Sequence, residues 1–328
     1  MSALPVVIAG TGVHLPERIV TNDELTRMVR TTDEWITRRT GIRERRWLAP
    51  ELAVSDMCGE ATRSAMQAAD VTAADVDVVI VATYTWDQPL LSTALIVKDA
   101  LDAHRAMTFD VTHAACLNGV QALLLAAQLL QSAATRTVLV IAADCASRLT
   151  DPQERITRIF FGDAAGAAVV RRSTRADSGV LAWDFGSELS YKVQIKAGGS
   201  RLPTSEATVQ AREHYVAMNG QAVWDAATRW LPDSITTAAS TAGVGVEGVD
   251  HFFLHQANLN IIRAALEKLG VPEDRAPITL DRLGNTGSAG VFTALHHSFS
   301  RGLVNPGEVF VMSAIGAGFQ WGTLCLRH

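Results

Sequence analysis

The chain has 328 residues, 48% of them hydrophobic and 19% charged, with a formal net charge of −5. That length suits one large or two medium domains, and that balance excludes a disordered chain. The acidic balance and the short Lys/Arg runs argue against a nucleic-acid face.

No apolar stretch approaches the ~20 uncharged residues that a membrane span requires. The segment Met1 to Gly10 lacks the basic start of a secretory signal and enters a strand directly. Cys58, Cys116, Cys145 and Cys325 are scattered with no close pair. This speaks against a zinc site or a disulfide framework and for reduced thiols in a cytoplasmic protein.

Val6 to Gly10 reads as a short buried strand running into Gly10-Thr11-Gly12. A dinucleotide fingerprint there is weak, because Leu15 stands where a third glycine should and Pro16 breaks the following helix. Thr21 and Thr32, each followed by acids, open helices. Arg38, Arg39, Arg43, Arg45 and Arg46 crowd around Gly41, reading as a solvated basic face or a small anion site. Ser55 to Ala69 is an amphipathic helix, and 75–82 is a strand buried on both faces, as in parallel sheets. The loop 84–92 holds Trp86, Asp87 and Pro89, and 93–102 is helical.

Met107 to Val111 is another strand, and the Ala/Leu run from Val120 to Ala134 is a helix apolar nearly all round, hence buried. Cys116 therefore falls at a strand-to-helix joint, where helix N–H groups would lower a thiol pKa and hold an oxyanion. Read alone, such a cysteine is ordinarily a packing residue. Thr137 to Ala143 and Ala164 to Val170 are strands, followed by the polar segment 171–179.

Beyond it the pattern starts again. The strand at Asp250 matches that at Asp77, 173 residues earlier, and the strand at Val309 matches that at Val138, 171 residues earlier. An internal duplication of a βαβ-type unit explains this, with halves at 1–174 and 175–328. Ile195 to Glu213 reads as a long surface loop, and 219–239 and 258–269 as helices.

Three later elements carry chemistry-bearing residues. His255-Gln-Ala-Asn258 ends a buried strand, where ligands bind in open α/β sheets. Gly284-Asn285-Thr286 lies in a loop of small residues, and Ala314-Ile-Gly316-Ala317-Gly318 forms a glycine-bearing turn. Together with Asp110-Val-Thr-His-Ala-Ala-Cys116 they resemble the thiolase-fold condensing enzymes, specifically the β-ketoacyl-acyl-carrier-protein synthase III family. Asp33 to Arg45, Phe161-Gly-Asp163-Ala-Ala-Gly166 and Gly318-Phe-Gln-Trp-Gly322 extend the likeness over essentially the whole chain.

The resemblance implies an α/β, five-layered αβαβα fold from two duplicated halves, and a homodimer. It implies that Cys116 accepts an acyl group from acyl-CoA, and that His255 and Asn285 stabilise the enolate left by decarboxylation of a malonyl thioester. The backbone N–H groups of Cys116 and Ala317 would form the oxyanion hole. Trp35, Arg39, Arg155 and Asn258 would bind coenzyme A, and Phe161 and a partner's Leu90 would line the acyl pocket. No cofactor or metal is implied beyond the acyl-CoA substrate. An acyl carrier protein is a further candidate partner.

The departures from the family pattern are specific. Leu117-Asn118 follows the nucleophile where a small residue and a glycine are usual, which alters the wall expected beside the sulfur. Ala317 replaces a glycine, so a positive φ there would carry strain. Tyr84, Trp86 and Asp87 occupy the acyl-pocket loop, pointing to an unusual primer. Asp225, Asn260 and Glu267 stand where carrier-docking members are basic, while Arg229, Arg263 and Lys268 lie nearby and could form a shifted patch. These features suit a specialised relative in secondary metabolism. The competing enzymatic reading is acyl transfer from Cys116 to a hydroxyl or amine. The non-enzymatic reading is a silent subunit that shapes a partner.

Overall fold

The structure is a computed structural model that describes residues 3–175 and 177–328. Met1 and Ser2, at the start of the N-terminal reading, and Ala176, within the segment 171–179, lie outside the described residues.

Nine strands form two sheets. The first contains β1 (Val6–His14), β2 (Val78–Ala82), β3 (Met107–Val111), β4 (Thr137–Cys145) and β5 (Asp163–Arg172), in the spatial order β1-β5-β4-β2-β3. The second contains β6 (Gly179–Ser187), β7 (His251–Leu254), β8 (Val309–Gly316) and β9 (Gln320–Arg327), in the order β7-β8-β9-β6. In both, the central strands run parallel and the strands returning beside them run antiparallel. The topology thus repeats once, except that β3 has no counterpart among the strands of the second sheet.

The longer helices are α1 (Asp33–Thr40), α2 (Val54–Ala68), α3 (Thr93–Ala100), α4 (Asn118–Leu129), α5 (Gly220–Thr241), α6 (Leu259–Leu269) and α7 (Gly290–Phe299). Val78, Ile80 and Ala82 face a core shared with α4, α7 and the second sheet, whereas Val79 and Val81 face α2 and α3. On the far side, Phe252, Leu254 and Val311 pack against α5 and α6. The five layers are therefore α2/α3, sheet, α4/α7, sheet, α5/α6. The unbroken apolar runs in β2 and β4 follow from burial on both faces.

Several boundaries differ from the sequence reading for local reasons. β1 continues through Gly10 and Gly12 to His14, because α2 lies directly on it. A Cβ at Gly10 would sit 2.5 Å from the Ala65 carbonyl oxygen, and one at Gly12 2.2 Å from that of Ala61. The Gly-Thr-Gly run is thus a helix-packing feature. Helix α4 starts at Asn118, and it ends at Leu129, before the exposed turn 131–134. Thr21 and Thr32 do cap helices, accepting hydrogen bonds from Glu24 N and Trp35 N.

The arginine cluster divides. Arg45 is fully buried, donating to Asn22 Oδ1 at 2.8 Å, Ile159 O at 2.9 Å and Val20 O at 3.2 Å. Burial lowers it to about 10. It is a structural post, which corrects its assignment to a solvated or anion-binding face. The segment 195–213 is likewise more than a surface loop. It contains a short helix, Glu206–Gln210, and its ends are pinned by a two-stranded ribbon, Val193–Gln194 with Ala217–Met218.

Candidate active site

The carboxyl ends of the parallel strands from both sheets meet at one cavity of about 910 Å³. Cys116, Phe161, His255, Asn285, Gly316 and Ala317 all line it. Five sites far apart in sequence converge because the duplicated halves present the same strand ends to a common centre.

Cys116 lies in a single 3-10 turn, Ala115–Leu117, that feeds directly into α4. The turn is reached through two residues in the left-handed region, His113 at φ +69° and Ala115 at φ +48°. For side chains larger than glycine this conformation is costly, and it persists where surrounding contacts enforce it. One such contact is Asn118 Oδ1, which accepts from Ala114 N at 3.0 Å. Leu117 points into the central core, and neither it nor Asn118 lines the cavity. The expected change in the wall beside the sulfur is therefore absent. Burial, with the negative charge of Asp144 added, pushes the Cys116 thiol up to about 12. Burial thus opposes the thiolate that the helix start was expected to favour.

His255 follows β7, its N–H donating to Ser313 O at 2.9 Å. Among the described residues its Nδ1 is buried without a hydrogen-bond partner, and a Cβ at Gly290 would lie only 3.2 Å from it. An imidazolium would have to bury an Nδ1–H that no acceptor meets, and desolvation lowers His255 to about 4. The resting ring is neutral, and its one proton belongs on Nε2. Asn285 is held by Asn285 N donating to Phe160 O at 2.7 Å and by Gly162 N donating to its carbonyl at 3.0 Å. Its side-chain Oδ1 accepts from Gly287 N at 3.0 Å, which leaves Nδ2 as the donor end.

The Gly316-Ala317-Gly318 turn presses against the cysteine turn. A Cβ at Gly316 would fall 1.8 Å from Ala114 O and 3.1 Å from Cys116 N. Ala317 does not take a positive φ; Gly318 does, at +134°. The strain expected at Ala317 is not present.

The other expected residues divide by location. Arg155 stacks over the Trp35 ring at 4.5 Å, and Arg39 lies 5.8 Å from the same ring, on the surface and outside the cavity lining. Asn258 is occupied structurally, its Oδ1 accepting from Asn260 N and its Nδ2 donating to Arg39 O. Leu90 is 86% exposed and does not line the cavity of its own chain. Asp87 lines it, but both carboxylate oxygens accept hydrogen bonds from Ser55 at the start of α2, so it anchors the 84–92 loop. The sequence reading missed His113, Arg148, His214 and Met218, and the segment 193–199, which also line the cavity. Ala197 and Gly198-Gly199 there were small-residue signals in a stretch taken as surface. Among the described residues no group of His, Cys, Asp and Glu is arranged to hold a metal ion.

Two family models match the chain: 3-oxoacyl-[acyl-carrier-protein (ACP)] synthase III over residues 109–188, and its C-terminal counterpart over residues 239–328. A β-ketoacyl-[acyl-carrier-protein] synthase III of Symbiobacterium thermophilum is 42% identical, covering 100% of this chain and 99% of its own. The crystal structure of 3-oxoacyl-[acyl-carrier-protein] synthase III from Aquifex aeolicus superposes with a TM-score of 0.90 at 34% identity, covering 98% of this chain and 100% of that one. A priming β-ketosynthase from a polyketide biosynthetic pathway gives 0.91 at 30%, covering 99% and 97%. The chain belongs to the 3-oxoacyl-acyl-carrier-protein synthase III family, and is a thiolase-fold condensing enzyme, a transferase.

Proposed function

We propose that the enzyme condenses an acyl-CoA primer, carried as acyl-Cys116, with a malonyl thioester to give a 3-oxoacyl thioester and CO2. The observation that carries this reading is the shared cavity of Cys116, His255 and Asn285, with each of the latter two fixed so that a donor remains. With a thiol near 12, acylation requires the proton to leave sulfur as the bond to carbon forms, and the departing CoA thiolate is its final acceptor. CoA leaves, carrying a proton. The malonyl thioester then loses CO2, and His255 Nε2–H and Asn285 Nδ2–H hold the negative enolate oxygen. The enolate carbon attacks the acyl carbonyl, whose oxyanion meets the N–H groups of Cys116 and Ala317. Collapse returns the cysteine.

Nothing in this sequence gains or loses electrons overall, so acyl-CoA is the substrate and no cofactor is required. Trp35 and Arg155 form the proposed platform for the adenine, with Arg39 as its phosphate partner. Asn258 supports that face by fixing the Arg39 backbone. Phe161 lines the acyl pocket, and Leu90 closes the pocket of a second copy in a homodimer. The halves 1–174 and 175–328 join through the polar segment between β5 and β6.

Carrier docking on α5 and α6 is weakened by Asp225 and Glu267. The nearby cations are already engaged: Arg263 pairs with Glu273, Lys268 pairs with Asp233, and Arg229 stacks on Trp230. An acidic carrier meets little free positive charge there, which favours specialised over housekeeping synthesis. No described helix is long and apolar enough to cross a membrane, and a cytoplasmic location is proposed on the reduced cysteines. Transfer to a hydroxyl or amine loses its support, because the residues that suggested it do not face the cavity.

The test is a panel of acyl-CoA primers offered with malonyl-CoA and, separately, with a malonyl-carrier, the products being identified by mass. The reading expects a 3-oxoacyl thioester from at least one pair. Acyl esters or amides without CO2 release would replace it with the transfer reading.

A further inference from the structure

Asp144 is a fully buried carboxylate that the proposed reaction does not use. It sits near the end of β4 and faces the central layer, where the turns before α4 and α7 come together. Its Oδ1 accepts from Thr83 Oγ1, Tyr84 N and Thr85 Oγ1, each at 3.0 Å. Its Oδ2 accepts from Ser288 N at 2.7 Å. Ser288 in turn donates through Oγ to Ala115 O at 3.1 Å, beside the nucleophile. Gly287, whose N–H holds Asn285 Oδ1, has φ +58°, and a Cβ there would lie 2.4 Å from Asp144 Oδ2. One carboxylate therefore ties together the start of the primer-side loop, the Asn285 turn and, through Ser288, the Cys116 turn.

We propose that Asp144 is a positioning residue for the condensation step, its ionised carboxylate holding the Gly287-Ser288 turn so that Asn285 presents Nδ2 to the enolate oxygen. This rests on the condensing role given to Asn285 above. Every neighbour within hydrogen-bond distance donates to Asp144, so only the charged form satisfies them all. A proton on Oδ2 would confront the Ser288 N–H with another hydrogen.

Burial raises Asp144 to about 6 against the pull of its donors, which places the loss of this geometry just below neutrality. The groups around it are Cys116 on the nucleophile turn, Tyr84 on the loop after β2, Cys58 on α2, and Cys145 and Asp163 at the adjoining strand ends. Burial raises all five, so the thiols and the phenol stay protonated through this range. Asp163 is raised as well, Asp87 and Asp110 share with Asp144 the neighbour Cys58, and His255, lowered to about 4, titrates below this range.

The experiment separates two partial reactions in wild type, Asp144→Asn, Ser288→Ala and Asn285→Ala: acylation of Cys116 by an acyl-CoA that loads the wild type, and CO2 release from malonyl-CoA. In Asp144→Asn the carboxamide oxygen takes the three donors on the Thr83–Thr85 side, and its NH2 is turned against Ser288 N–H. Decarboxylation should fall about tenfold or more while acylation stays within about threefold. The wild-type acid limb near pH 6 should be missing from the variant's profile. Ser288→Ala keeps its N–H on Asp144 but removes the hydroxyl that reaches Ala115 O and also helps hold Asp144 ionised, so it should slow acylation while decarboxylation keeps an acid limb moved to higher pH.

A wild-type decarboxylation rate flat from about pH 7.5 to 5 overturns the proposal. So does an Asp144→Asn variant that slows both reactions alike and keeps the acid limb. If Asp144→Asn does not fold, the wild-type profile and Ser288→Ala still decide. Loss of the proposed function itself would appear differently, as a wild type that neither acylates Cys116 nor depends on Asn285 for CO2 release.

Discussion

Cys116 and His255 are both held in their neutral forms by desolvation, with the thiol near 12 and the imidazole near 4. The pair thus rests as a neutral thiol beside a neutral imidazole rather than as an ion pair. Iodoacetamide should alkylate Cys116 about tenfold faster for each pH unit gained between about pH 7 and 9, with no plateau. A plateau near neutrality would show a resting thiolate. Asn285→Ala removes one of two enolate donors, and decarboxylation should fall by about 10²–10³ while acylation of Cys116 survives. CO2 release and intact-protein mass measure the two. His255→Ala removes the other donor, so decarboxylation should fall by a like factor.

At the scale of elements, the apolar strands were readable because burial on both faces leaves no polar position in β2 or between Val138 and Ala143 of β4. The helix caps at Thr21 and Thr32 were readable because a hydroxyl before an acidic first turn has a local cause. Features whose cause lies elsewhere in the chain were not. Gly10-Thr11-Gly12 looked like the end of a strand with a weak dinucleotide fingerprint, and it is the carbonyls of α2, some fifty residues on, that require both glycines in β1. Arg45 looked like surface, and its partners at Val20, Asn22 and Ile159 appear only when the chain folds. Leu117 was placed beside the sulfur, but the turn rotates it into the core. Gly12→Ala brings a methyl to 2.2 Å from Ala61 O. It should cost about 1–3 kcal/mol, read as a lower midpoint in thermal or denaturant unfolding.

Across the whole molecule, the duplication brings the same strand ends of two sheets to one cavity, and so two turns, Ala115–Leu117 and Gly287–Ala289, face each other with Asp144 between them. That Cys116, His255 and Asn285 belong together was legible from sequence because they stand in distinctive contexts, and they line one cavity. The cavity's cover was not, because the segment 193–218 is polar and closes the site through backbone pinning. One edge of the first sheet stays open: on β3, Met107 is 53% and Phe109 38% exposed. Apolar residues on an unpaired edge call for a partner strand, and a second copy would also carry its Leu90 toward the first. Light scattering should give the mass of a dimer, and Phe109→Lys should shift it toward a monomer with loss of condensation.

The most direct measurement is a single turnover followed by intact-protein mass. Protein is loaded with an acyl-CoA, freed of excess, and then given malonyl-CoA. The account predicts an acyl adduct on Cys116, absent in Cys116→Ala, that disappears on malonyl addition as CO2 and a 3-oxoacyl-CoA two carbons longer are released. No adduct with any primer, or an adduct discharged without CO2, would contradict it.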